Sequence, residues 1–166
     1  MKKIFITLFI LAISVNSFAQ SFELPKNFKM ETPQQSEKYD DLILPAIEWI
    51  MMTPPNIQER KQLETKKFLL EWSAQTEKVS VSIGTNVAKL YEKNEDLILI
   101  YVLGCVKYVL ETNDNLDKEK INLSGFELAI DYYTKNKKLL KKDKNLEDLI
   151  KKRDNGTLKE YIKEKI

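Results

Sequence analysis

A largely apolar stretch from Leu97 to Leu110, with Lys107 as its one charged residue, constrains the fold of this chain more than any other feature. Its side chains are apolar nearly all round a helix, and a helix of that kind is buried on most of its faces. A bilayer crossing needs about 20 apolar residues, and acidic residues bracket this shorter stretch at both ends. We therefore predict a central core helix rather than a membrane span.

Two small residues in the middle of this stretch indicate how it packs. Gly104 costs a helix about 1 kcal/mol relative to alanine, which suggests that another helix crosses close to it. Cys105 is the only cysteine of the chain, so no intramolecular disulfide can form. Its apolar neighbours favour a small buried side chain rather than a reactive thiol.

The rest of the chain alternates helical periodicity with polar breaks, which predicts an all-α, single compact domain of about five to seven helices. The helical domain is expected over residues 36–166, after an extended arm at residues 20–35 that has no steady period. Pro45 is expected in the first turn of a helix, where its missing N–H costs little. Asn56 is the predicted N-cap of the next helix, with Glu59 reaching back as in a capping box.

Two segments have alternative interpretations. Residues 79–83 alternate apolar and polar side chains like a strand, but no second segment is a candidate to pair with them, so we predict a loop. The alternative is an α+β domain in which these residues add a strand. Ser124 either caps a new helix, or Gly125 lies inside a longer helix that starts near Asp117.

The first nineteen residues have the pattern of a secretory signal peptide. Lys2 and Lys3 precede a short apolar run at residues 4–15, and Ala19 ends a small-x-small tripeptide. We expect cleavage after Ala19 and therefore a periplasmic or secreted protein, with no transmembrane span in the mature chain. A retained signal anchor is the alternative.

The charge balance bears on possible partners. After cleavage the chain has 25 basic and 25 acidic residues, which argues against a nucleic-acid or anionic-membrane role driven by bulk charge. The charges are uneven, because residues 20–117 carry a net −5 and residues 118–166 a net +5. The basic part contains a lysine cluster that is either a face for an anionic partner or a solvated helix end. The lysine cluster consists of Lys135, Lys137, Lys138, Lys141, Lys142 and Lys144.

Familiar catalytic and metal-binding patterns are missing from the sequence. The chain has no histidine and one cysteine, which excludes Ser-His-Asp and Cys-His machinery and the usual zinc ligand sets. Asn113, Asn115 and Asp117 alternate oxygen ligands like a calcium loop, but Lys118 stands where that loop needs glycine. We predict no cofactor, no metal and no catalytic residue.

Carboxylates are plentiful, so a hydrolase that uses two of them is compatible with the composition. Asp40, Asp41 and Glu48 surround the first predicted core-facing helix and its Trp49. An acid beside an aromatic ring suits a sugar site, and it also suits an ordinary helix start with a buried tryptophan. If the fold has a ligand pocket, we expect Trp49 and Trp72 to line it, with core packing as the alternative.

Three functions are compatible with these features. The first is a secreted or periplasmic, non-enzymatic helical module that binds a protein partner in the cell envelope. The second is a small carboxylate-based hydrolase of envelope polysaccharide, and the third is a carrier of small apolar molecules or lipids. The missing catalytic patterns favour the first. A binding module should expose an apolar or aromatic patch, a hydrolase two carboxyls facing across a cleft, and a carrier an enclosed apolar pocket.

Overall fold

The computed structural model describes residues 22–165, and within that range the regular structure is entirely helical. The predicted all-α fold is therefore confirmed, with seven helices of six residues or more after a single helical turn. The predicted signal peptide at residues 1–19 lies outside the described residues. A 3₁₀ turn, Glu37–Tyr39, joins α1 to α2. The helices are α1 Pro33–Ser36, α2 Asp40–Met52, α3 Glu59–Gln75, α4 Thr85–Leu90, α5 Asp96–Thr112, α6 Lys118–Lys135, α7 Lys144–Asp154 and α8 Leu158–Lys165.

The core is built around α5, which contains the predicted central stretch and packs most extensively against α6. Gly104 lies where the two helices cross, because a Cβ there would stand 2.6 Å from the Ser124 carbonyl oxygen and 2.7 Å from the Gly125 Cα. The predicted close crossing at Gly104 is confirmed. Gly125 lies inside α6, whose N-cap is Asp117, so the longer-helix interpretation of this segment is correct. Among residues 22–165, no helix is both long and apolar enough to cross a bilayer.

Cys105 is buried at the same crossing, as predicted. A Cβ on Gly125 would lie 2.7 Å from its Sγ, so the thiol fills the space that the missing side chain leaves. Burial raises the pKa of the Cys105 thiol to about 12, against a smaller opposing effect of its hydrogen bond with Tyr101. Since the thiolate is the reactive form, this cysteine is a packing residue.

The N-terminal arm is docked on the helical body. Residues 22–32 have no regular secondary structure, and the ring of Phe22 packs 6.4 Å from Trp49 and 6.3 Å from Phe68, measured between ring centroids. Lys61 Nζ donates a hydrogen bond to the Phe22 carbonyl oxygen at 2.5 Å. The arm gives way to helix at Pro33, three residues before the expected domain boundary at residue 36.

Two predicted helix starts are wrong. Asp40 begins α2, so Pro45 lies in the helix interior rather than in its first turn. Glu59 begins α3, with Gln58 as its N-cap at φ +51°, so Asn56 does not cap that helix. A local contact accompanies this start, because the Gln62 side-chain amide donates to the carbonyl oxygens of the preceding turn, including that of Ile57 at 3.0 Å.

Residues 79–83 form part of an irregular segment between α3 and α4. The predicted loop is therefore confirmed, and the α+β alternative is wrong for the residues that the structure describes.

Candidate functional site

Two depressions of similar size adjoin on the surface and share Asn115, and we call the pair the groove. The first has a volume of about 560 Å³ and lies between the start of α2 and the end of α5. The second, of about 570 Å³, lies between residues 80–87 and the start of α6. Asp40, Asp41, Leu44, Pro45, Lys78, Val109, Leu110, Asn113 and Asn115 line the first; Ser80, Val81, Ser82, Gly84, Thr85, Asn86, Val87, Asn115, Lys118, Ile121 and Asn122 line the second.

Asp40 is held in place at the edge of the first depression. The buried indole of Trp72 donates from Nε1 to Asp40 Oδ1 at 3.0 Å. Lys78 Nζ lies 2.6 Å from Asp40 Oδ2, and this hydrogen bond is the main cause of the raised pKa of Lys78. Both carboxylate oxygens are thus engaged, so Asp40 ties the start of α2 to α3 and to the segment that follows α3.

The first depression does not have the arrangement of a two-carboxylate hydrolase. Asp40 and Asp41 are consecutive residues at the start of one helix, and the α5 side of the depression is formed by Val109 and Leu110. Glu48 does not line either depression. A glycosidase needs two carboxyl groups on opposite sides of the scissile bond, and the groove lining supplies acids from one side only.

Hydroxyl and amide groups dominate the second depression. Ser80, Ser82 and Thr85 contribute hydroxyls along one wall, and Asn115 and Asn122 contribute amides. The amide of Asn122 is fixed from below, because its Oδ1 accepts a hydrogen bond from the buried Tyr101 hydroxyl at 2.8 Å. The lining of both depressions contains no aromatic ring. Such a surface recognises its ligand through hydrogen bonds rather than through stacking.

The loop that carries Asn115 is fixed by a single carboxylate. Asp114 Oδ1 accepts from the backbone N–H groups of Leu116 at 3.1 Å and Asp117 at 3.2 Å, and Oδ2 accepts from the Tyr108 hydroxyl at 3.3 Å. The two backbone hydrogen bonds are the main cause of the lowered pKa of Asp114. The loop therefore presents Asn115 to the groove and Leu116, 85% exposed, to solvent.

We predict that acid loosens this loop below the ordinary pKa of Asp114, which is 3.8. A carboxyl whose pKa is depressed by folding stabilises the folded state above its ordinary pKa, and that contribution is lost as the pH falls through the lowered value. In a ¹³C NMR titration the Asp114 carboxyl should have its midpoint below 3.8, and the Leu116 amide should shift with the same midpoint. A midpoint at or above 3.8 would contradict the assignment. The Asp114→Asn variant should lack this transition.

The two tryptophans predicted to line a pocket do not line either depression. Trp72 is buried in the core and reaches the groove only through its hydrogen bond to Asp40. Trp49 is partly buried against the N-terminal arm, and Lys61 Nζ lies 4.6 Å from the centroid of its ring. Core packing, the alternative given for these aromatics, describes Trp72.

Two of the six lysines in the cluster bond to neighbouring elements. Lys135 Nζ donates to the Met51 carbonyl oxygen at 2.8 Å, near the end of α2. Lys137 Nζ lies 2.6 Å from Glu147 Oε1, a hydrogen bond that raises the pKa of the lysine and lowers that of the glutamate. These two lysines fasten α6 to neighbouring elements. All six lysines of the cluster are exposed, and Lys138, Lys141, Lys142 and Lys144 are exposed along with the two that bond to neighbouring elements.

Sequence reasoning missed the groove because its walls come from distant segments. In the sequence, Asn113 and Asn115 were considered only as part of a calcium-loop pattern, and residues 79–83 only as a possible strand. Within residues 22–165 no group of three or more acidic, histidine or cysteine side chains is placed to hold a metal ion. The one available signal was the presence of two polar, exposed connections, one before α4 and one before α6.

Comparison of the chain with protein-family models, with curated proteins and with solved structures returned no match.

Proposed function

We propose that this chain is an exported, non-enzymatic binding module of a bacterial cell envelope, and that the groove is the surface with which it binds a protein partner. The observation that carries the proposal is the lining of the groove, which combines side-chain amides and hydroxyls with short apolar walls. Binding sites use a few placed polar groups to orient a ligand and apolar walls to exclude water. The carboxylates that a hydrolase would need are absent from the wall that faces Asp40 and Asp41.

Two exposed apolar side chains support a protein partner over a carried lipid. Ile83 is 47% exposed and Leu116 is 85% exposed, and they lie on the two loops that contribute to the second depression. Exposed apolar groups beside a polar groove are typical of interaction surfaces. A lipid carrier would instead need an enclosed apolar pocket, whereas polar groups make up much of the lining here.

The proposal of export comes from the N-terminal pattern, and the docked arm is compatible with it. Cleavage after Ala19 would leave Phe22 and its contacts with Trp49 and Phe68 in the mature chain. The mature protein would therefore keep every contact that fastens the arm to the helical body.

Affinity capture from envelope extract tests the proposed function. The mature chain, residues 20–166, is immobilised and exposed to extract of the host's envelope at moderate salt, and bound proteins are identified by mass spectrometry. Asn115→Trp fills the junction of the two depressions, and Asn155→Trp makes the same change in the turn between α7 and α8. We expect one dominant protein whose recovery falls about tenfold or more with Asn115→Trp, equivalent to 1.4 kcal/mol or more, and is unchanged with Asn155→Trp.

Three results would contradict the proposal. The first is a partner retained equally by both variants, which would place the binding surface elsewhere. The second is recovery only at low salt, which would indicate nonspecific lysine electrostatics. The third is glycan or lipid recovered without protein.

A further inference from the structure

The backbone of residues 79–83 makes no hydrogen bond to any residue that the structure describes. Lys78 before the segment bonds back to Thr76, and the Gly84 carbonyl after it accepts from Ala88. An unpaired run of this kind is a template for pairing with another chain.

Residues 79–82 also have the side-chain alternation of a strand, and Ile83 departs from it because it is 47% exposed. Val79 is 7% exposed and Val81 is partly buried, whereas Ser80 and Ser82 are exposed. No turn or bend interrupts the chain from Val79 onward, and Gly84 ends the run with extended backbone at φ −74° and ψ 163°. The apolar side chains fasten one side of the segment to the core, which leaves its backbone edge accessible.

The unpaired segment lies along the groove. Ser80, Val81 and Ser82 line the second depression, whose other wall includes Asn115 and Asn122. The 570 Å³ of this depression falls within the usual range of ligand pockets, about 300–1,000 Å³. A chain lying there would have backbone partners on one side and side-chain amides on the other.

We infer that the groove binds an extended segment of a partner polypeptide, which pairs as an added strand with residues 79–83. This inference rests on the proposed function and specifies how the partner is recognised. Backbone donors and acceptors without partners complement another polypeptide backbone, and strand addition uses them for affinity and side-chain pockets for specificity. A glycan lacks that regular backbone, and the groove lacks the aromatic rings on which sugars stack. Ile83 and Leu116 are placed to contact apolar side chains of the added strand.

The test uses a displayed library of random dodecapeptides, selected on the mature chain, with affinities of the selected peptides measured by fluorescence anisotropy. In a paired strand only alternate residues bond to a given neighbour. Proline removes the backbone N–H, so only one of the two variants Ser82→Pro and Ile83→Pro should remove a hydrogen bond to the peptide. That variant should weaken binding about tenfold or more, and the other by less than about threefold. Ser82→Ala and Ile83→Ala keep the N–H groups and measure the loss of each side chain alone. Both side chains are exposed, so the variants should fold.

Several outcomes would overturn strand addition. One is selected peptides whose binding is lost with Asn115→Trp but unaffected by either proline, which would leave the groove as the binding surface. Another is equal loss with both prolines, which would indicate general disruption of the segment. Failure to select any peptide would also overturn strand addition. The proposed function is tested separately, by the affinity capture described above. If the chain forms a concentration-dependent dimer and the peptides compete with dimer formation, the groove binds a second copy of this chain rather than a different partner.

Discussion

Replacing Gly104 with alanine is expected to lower the free energy of unfolding by about 2–3 kcal/mol, in the range measured for overpacked cores. The added Cβ would meet the Ser124 carbonyl oxygen at 2.6 Å and the Gly125 Cα at 2.7 Å, and both are backbone atoms of α6. Backbone atoms cannot rotate aside like the end of a side chain, so α5 and α6 must separate. The helix propensity gained from alanine, about 1 kcal/mol, offsets only part of this cost.

Urea denaturation followed by circular dichroism measures the change, with Gly84→Ala as the matched control. Gly84 has no heavy atom within 4 Å of the position of an added Cβ, and its backbone is extended. Gly84 is the N-cap of α4, where alanine is disfavoured, so the control should lower stability by less than about 1 kcal/mol. An unchanged midpoint for Gly104→Ala would show that the crossing is looser than described.

Replacing Asp40 with alanine should lower the free energy of unfolding by about 2 kcal/mol. The variant leaves the buried indole N–H of Trp72 without its acceptor, and an unpaired buried donor costs about 1–3 kcal/mol. The ion pair with Lys78 contributes less, because exposed pairs are worth about 0–1 kcal/mol. Chemical denaturation of the two variants Asp40→Ala and Asp40→Asn separates these contributions, since the asparagine keeps an oxygen for the indole.

Asp41→Ala is the matched control for that comparison. Asp41 is the next residue of α2, lines the same depression and is exposed. Its removal should change stability by less than about 0.5 kcal/mol. Equal destabilisation by Asp40→Ala and Asp41→Ala would contradict the anchoring role assigned to Asp40.

The central architecture could be predicted because its signals are local. The apolar stretch at residues 97–110 predicted the buried helix α5, and Gly104 within it predicted the close crossing with α6. The alternating residues 79–83 were predicted as a loop because an isolated strand has nothing to pair with. The same absence of a pairing strand now accounts for their unbonded backbone.

Features that depend on contacts distant in sequence could not be predicted. The start of α3 was missed for a nearer reason, because the Gln62 side chain bonds to carbonyl oxygens five and eight residues before it. The pairing of Asp40 with Trp72 joins residues 32 positions apart. The groove likewise requires that the packing of α5 against α6 bring two separate loops together, and no periodicity in either loop encodes that.

The lysine cluster contains contacts that composition alone could not predict. Six lysines within ten residues suggested either an anionic-partner face or a solvated helix end. In the structure, Lys135 bonds to a carbonyl oxygen at the end of α2 and Lys137 to Glu147 on α7. Since two of the six stabilise contacts between helices, part of this charge serves the fold.

The central claim, that the groove is the binding surface, is tested most directly by amide hydrogen exchange. Exchange is measured on the mature chain alone and in complex with the protein recovered by affinity capture. The account predicts slower exchange in the complex at residues 78–86 and 113–122, with no change at residues 135–144. Slower exchange at residues 135–144 with unchanged rates in both groove segments would contradict it and assign binding to the lysine cluster.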